Sequence, residues 1–202
     1  MKKKTLVFDI GSVLITLDFP AALKKMGLSA EAQQVIAAIP SIDGLWDCLD
    51  RNDLDIHRGA EIYAECAPGF EAEATKAFLT MTEYVQPIEE NVSVLRDASR
   101  AGYDTYFLSN FQRDNWAILQ KNLSFFRHFK GGTVSWQESE IKPGPAIYER
   151  FLSKYGLVAE DCIFIDDKAV NTATARSLGF ATITFAGGVN VREELAKMGI
   201  TL

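Results

Sequence analysis

The polar residues of this chain that are best suited to chemistry come as Asp9, Ser109-Asn110, Lys142 and Asp166-Asp167. Asp9, Ser109 and Asp166 each follow a short apolar run: 6–8 (LVF), 103–108 (YDTYFL) and 162–165 (CIFI). Each run reads as a buried strand, so the polar residues fall at strand carboxyl ends, where open α/β sheets bind ligands. Three carboxylates gathered on one rim repel one another, and keeping them ionised requires a cation. Oxygen donors of this kind suit Mg²⁺, which retains water and accepts one or two carboxylates together with a substrate phosphate. A hydroxyl, an Asn amide and a Lys supply donors and positive charge for phosphoryl oxygens. An Asp carboxylate can itself act as nucleophile through an aspartyl-phosphate. Taken singly, each group has a plainer role: Asp9 bonding its own turn, Ser109-Asn110 forming a turn, Lys142 solvated, Asp166-Asp167 capping a helix. Their shared position at strand ends makes the case for one site.

The elements that must position them alternate. After Pro87, a helix over 88–101 stops at Gly102 and leads into the 103–108 strand. Next come a helix near 113–122, a strand near 133–136, the loop QESEIKPGP carrying Lys142, and a helix over 146–155. The 162–165 strand, a helix over 169–178 closed by Gly179, a strand over 181–185 and a helix over 191–198 complete the chain. Alternation of this kind implies crossover units and a mostly parallel sheet, whose strands end on one edge. The expected fold is therefore α/β, a Rossmann-like parallel sheet flanked by helices. Residues 19–86 differ: Ala, Leu, Glu and Ile recur at helical spacing, giving helices over 20–26, 30–39, 42–49, 56–66 and 71–84 and no convincing strand. Asp55 is placed to cap the fourth. The expected organisation is a core of 1–18 and 87–202 with a helical insert of 19–86 lying over the site. An independent bundle is the other reading of that insert.

Composition sets the bounds. The 202 residues, 48% of them hydrophobic, can bury a sizeable core, and the net charge of -6 with pI near 5.0 argues against a general nucleic-acid surface. Lys2, Lys3 and Lys4 read as a solvated tail. Cys48, Cys66 and Cys162 are an odd number without metal-ligand spacing, with Cys162 expected to be buried, which fits a reducing cytoplasm. Asp9 interrupts the apolar start that would otherwise imitate a secretory signal, and no apolar segment approaches the roughly 20 residues needed to span a bilayer. His57 and His128 lie away from the rim positions, no G-x-x-x-x-G-K-[ST] loop is present, and Gly187-Gly188 reads as a turn.

The ordered motifs FDIGSVL, FLSN, IKP and FIDDKAVN resemble those of the haloacid dehalogenase-like superfamily, over essentially the whole chain. That resemblance implies Asp9 as nucleophile and metal ligand, Ser109 and Lys142 holding the phosphoryl group, and Asn110 lining the site. It makes Asp167 the chief acidic ligand of Mg²⁺, with its acidic neighbour Asp166 in the same metal-ligand set, Asn171 the position four residues on, and the Gly11 carbonyl a further ligand. It departs at one point: Gly11 stands where the second Asp of D-x-D-G-[TV], the family's general acid/base, is usual. Loss of a positioned acid costs ~10²- to 10⁴-fold in rate. The D-x-G-x-V form resembles a branch that includes sugar-phosphate phosphatases acting on glucose 1-phosphate, whose hemiacetal leaving oxygen needs less protonation. Asp18, water or a residue of the insert are the alternative proton sources.

The expected function is a Mg²⁺-dependent phosphatase for small phosphorylated metabolites, with no nucleic acid or membrane partner. The alternatives are a non-catalytic binder of a phosphorylated ligand or partner, and a metal-independent 2-haloacid dehalogenase. Trp46, Asp50, Arg51 and Trp136 are the candidates for substrate choice, weighed against plain surface or core packing.

Overall fold

The computed structural model describes residues 4–202; Lys2 and Lys3, expected in a solvated tail, lie outside them. Lys4 is not free, since its Nζ donates to the Glu160 carbonyl. The chain opens with strand β1 (Thr5–Phe8) and the two-residue β2 (Ile15–Thr16). Five helices follow: α1 (Phe19–Lys25), α2 (Ala30–Ala37), α3 (Leu45–Asp50), α4 (Ile56–Ala64) and α5 (Glu71–Thr80). Side chains start three of them, with Asp18, Ser29 and Asp55 accepting from backbone N–H groups of the first turns of α1, α2 and α4. After β3 (Gln86–Pro87) the alternation begins: α6 (Glu89–Arg100), β4 (Asp104–Ser109), α7 (Arg113–Asn122), β5 (Gly131–Val134), α8 (Ser135–Glu138), α9 (Pro145–Tyr155), β6 (Cys162–Asp166), α10 (Ala169–Ser177), β7 (Ala181–Thr184) and α11 (Val191–Lys197).

The five long strands form one parallel sheet in the order β5-β4-β1-β6-β7, as the alternation requires. Side chains alternate across it. Leu6, Phe8, Phe107, Ile163 and Ile165 pack on one face, and Val7, Tyr106, Leu108, Cys162 and Phe164 on the other. Both faces are covered, so the strands read as near-continuous apolar runs. A third core, including Leu23, Ile36, Leu49, Tyr63 and Phe78, is drawn from the helices between β2 and β3.

Two expectations fail locally. The strand placed near 133–136 runs instead over Gly131–Val134, and Ser135 and Trp136 start the short helix α8. The preceding Gly131-Gly132 carries little strand propensity of its own; pairing with Tyr106 and Phe107 of β4 makes it a strand. The antiparallel ribbon in which Ile15 pairs with Pro87 and Thr16 with Gln86 was also unexpected. Two-residue strands carry no periodic signal. Through this ribbon the chain leaves the sheet layer for the five helices and returns.

Gly132 is required by close approach rather than by its backbone angles. A Cβ there would lie 2.2 Å from Phe107 Cδ2, and Phe107 is locked among Trp116, Phe126 and Phe129. Gly132→Ala should therefore destabilise the protein by about 1–3 kcal/mol, the usual range for overpacking. Thermal denaturation checks this, with a fall of roughly 2–4 °C per kcal/mol expected for a chain of this size.

Candidate active site

Strand register brings the distant acidic residues together. Phe8 is level with Ile165 of β6 and Phe107 of β4. One residue further on, Asp9 comes beside Asp166, and its N–H continues the ladder by donating to the Ile165 carbonyl at 2.8 Å. By alternation Asp9 falls on the face of Val7, and Asp166 on that of Phe164. Lys142 enters on this face from the loop before α9. Its Nζ is 3.0 Å from Asp9 Oδ1 and 2.6 Å from Asp166 Oδ2, donates to the Leu108 carbonyl at 2.9 Å, and lies 5.3 Å from the centre of the Phe164 ring. All three charged residues are buried.

A buried ammonium needs this many partners. Burial works against the Lys142 charge, but Asp9 and Asp166 outweigh it and hold its pKa above the ordinary lysine value. Burial pushes the Asp9 carboxyl up to about 6; Asp166 works in the same direction, while Lys142 and a hydrogen bond from Ser109 oppose it. Burial, then Asp166, also raises Asp167, which is half-buried.

Asp166 is saturated. Besides Lys142, its carboxylate accepts from the Lys168 N–H at 2.8 Å and from Asn171 Nδ2 at 2.9 and 3.1 Å. Asn171 thus orients Asp166 from the first turn of α10. Asn110, expected to line the site, does so and has a second task. Its Oδ1 accepts from the Lys142 N–H at 2.8 Å and its Nδ2 donates to the Lys142 carbonyl at 2.9 Å. Both ends of the amide therefore clamp the backbone of the lysine.

The carboxylate oxygens of Asp9, Asp166 and Asp167 include one from each residue lying within 4.8 Å of the others. An all-oxygen donor set this close suits a hard divalent ion such as Mg²⁺.

Above the rim lies a cleft of about 420 Å³. Gly11, Ser12, Asn110 and Lys168 line it from the sheet side, and Trp46, Asp50, Met81 and Thr82 from the helices. Of the four candidates for substrate choice, Trp46 and Asp50 face this cleft. They are four residues apart on α3 and so share one helix face. Arg51 instead pairs with Asp53 at 3.1 Å, and Trp136 packs against the core. Asp18, considered as a proton source, is exposed and spends its carboxylate capping α1 through Ala21 N–H at 3.0 Å. Sequence reasoning did not single out Lys168, Gln112 or Asn115, which also line the cleft. Only Lys168 carried a usable signal, its place directly after Asp166-Asp167.

Residues 3–179 match the family model of the haloacid dehalogenase-like hydrolases. The sesquiterpene phosphatase astK of Aspergillus oryzae is 25% identical over 204 residues, covering 96% of each chain. The D-ribitol-5-phosphate phosphatase of Bacteroides thetaiotaomicron is 25% identical over 203 residues, covering 95% of this chain and 96% of its own. Among solved structures, a haloacid dehalogenase family enzyme from Bacteroides thetaiotaomicron in complex with magnesium and inorganic phosphate superposes with a TM-score of 0.74. It is 22% identical, with 96% of this chain and 99% of that one covered.

Removing Lys142 strands two buried carboxylates. Lys142→Met should cost about 3–5 kcal/mol of stability at neutral pH in metal-free buffer, as breaking a buried ion pair does. Denaturant unfolding reads this out. Asn110→Ala, which loosens only the clamp, should cost less, on the order of 1–2 kcal/mol.

Proposed function

The chain belongs to the haloacid dehalogenase-like hydrolase family, and from that premise we propose that it is a magnesium-dependent phosphatase of small phosphate monoesters. The observation that carries this reading is Lys142 held between Asp9 and Asp166 at 3.0 and 2.6 Å. In the proposed reaction the Ser109 hydroxyl donates to a non-bridging phosphoryl oxygen, and the Lys142 ammonium, whose three protons are engaged by Asp9, Asp166 and the Leu108 carbonyl, holds the phosphoryl group by its charge. Asp9 Oδ1 is already engaged by Lys142 and by the Ile10 N–H at 2.7 Å, so Oδ2 is the atom that attacks phosphorus. The Asp9 O–P bond forms as the ester O–P bond breaks, and the departing oxygen takes a proton. Water then attacks the aspartyl-phosphate, releasing inorganic phosphate and restoring the carboxylate.

Asp9, Asp167 and the Gly11 carbonyl would hold Mg²⁺, with the saturated Asp166 as their acidic neighbour. The ion offsets charge on the phosphoryl oxygens. The relatives named as phosphatases and the magnesium and phosphate bound to a protein of the same fold support this assignment.

We assign residues 1–18 and 87–202 to the catalytic core and 19–86 to a cap that closes over the rim and supplies the substrate contacts. Sugar phosphates are the preferred class. Trp46 offers a ring face for the C–H side of a sugar, and Thr16, Thr82, Gln112 and Asn115 offer hydrogen-bonding groups for hydroxyls. A prenyl or aryl phosphate is the second reading, favoured by the apolar wall of Ile15, Leu17, Met81, Val85 and Phe111.

Purified protein should release phosphate from a panel of sugar phosphates only with Mg²⁺, and excess chelator should abolish release. Asp9→Asn should lower turnover by at least ~10³-fold, as loss of a covalent nucleophile does. Magnesium-dependent binding without turnover would instead identify a phospholigand-binding protein, and chelator-insensitive chloride release from 2-chloropropionate a dehalogenase. Trp46→Ala should raise KM for the preferred ester by roughly 5- to 30-fold with little change in kcat, the pattern of a contact made equally in ground and transition states.

A further inference from the structure

Resting on the phosphatase reading above, we propose that Asp50 of helix α3 is the general acid/base of this enzyme, replacing across the cleft the carboxylate that Gly11 does not provide. An ideal Cβ built on Gly11 meets nothing within 4 Å, so the place where an acid at that position would extend is open space. That space belongs to the cleft, whose opposite side carries Asp50. Trp46, one turn earlier and partly exposed, lines the same cleft, so this side of α3 borders it.

Asp50 is also uncommitted. Among the described residues no group hydrogen-bonds or ion-pairs with its carboxyl, whereas the adjacent Arg51 is held by Asp53. The charged groups whose fields reach it are Asp47 on its own helix, Lys168 from the turn before α10, and Asp9 and Lys142 at the rim. Half-burial first and Asp47 second push its carboxyl up to about 7; Asp9 adds to this, and Lys168 and Lys142 oppose it. A carboxyl poised there is protonated in a useful fraction of molecules near neutrality and can both give and take a proton.

The proton steps balance. As the ester O–P bond breaks, the Asp50 carboxyl passes its proton to the departing oxygen and becomes a carboxylate. It then takes a proton from the water that attacks the aspartyl-phosphate, so each turnover restores both carboxyls.

Two esters separate this role from a structural one. With glycerol 3-phosphate, whose alkoxide must be protonated, Asp50→Asn should lower single-turnover ester cleavage by ~10²- to 10³-fold. With p-nitrophenyl phosphate, whose phenolate leaves unaided, the same variant should retain a nitrophenolate burst within a few-fold of wild type. Steady-state turnover should then slow as phosphoenzyme accumulates, because the base for the second step is gone. The fall of wild-type kcat/KM as pH rises through the Asp50 pKa, with the acid form being lost, should be absent from the variant for the alkyl ester. Adding Gly11→Asp to Asp50→Asn should recover alkyl-ester cleavage, since the space is open.

Equal losses for both esters, or an unchanged ratio of their rates, would show that Asp50 is not the acid while leaving the phosphatase reading intact. No phosphate release by wild type from either ester overturns both. Melting temperature and circular dichroism of Asp50→Asn, expected to match wild type, identify a fold defect, and such a defect with parallel losses counts against the assignment.

Discussion

One buried ammonium sets the terms for this site. Lys142 lies between Asp9 and Asp166, away from water, and none of the three would tolerate that position alone. The arrangement demands accuracy from everything around it: β1 and β6 in fixed register, an incoming loop clamped by both ends of the Asn110 amide, and a free carbonyl at Leu108 to take another of the lysine's protons. Asn171 and the Lys168 N–H then occupy what remains of Asp166. A group saturated in this way cannot drift, so the carboxylates gathered at the rim keep their mutual spacing.

The sheet rim and the helices above it divide the work on chemical grounds. The rim collects charge, because parallel strands ending together bring carboxylates to one edge and the start of α10 favours them there. The helical segment contributes a wall with an indole, a carboxyl and several apolar side chains. β2 and β3 connect the two layers as a short antiparallel ribbon.

Gly11 gives this division a particular form. In D-x-D motifs the acid travels with the nucleophile on one turn, and their spacing is covalent. Here the carboxyl nearest in kind, Asp50, belongs to the helical layer, so its distance from the bound phosphoryl group depends on how the two layers sit. In the proposed reaction, protonation of the leaving oxygen is thereby linked to how the helical layer sits over the rim.

Much of this was legible in the chain as written. Apolar runs broken by polar residues at Asp9, Ser109 and Asp166 specified buried strands and their functional ends, because a residue at the end of a sheet strand is the first that need not be apolar. Capping at Asp55 and the spacing of apolar residues likewise marked helices whose ends shifted by only a few positions. Short elements were lost: β2, β3 and α8 are too brief to show a period, and pairing with neighbours creates them. The second task of Asn110, the turning of Arg51 away toward Asp53, the packing of Trp136 into the core and the presence of Asp50 in the cleft were equally out of reach. Local sequence settles what a residue can do and on which element it rides. Which distant groups it meets is a matter of how layers pack, and for a charged side chain that meeting determines its burial, its protonation and therefore its chemistry.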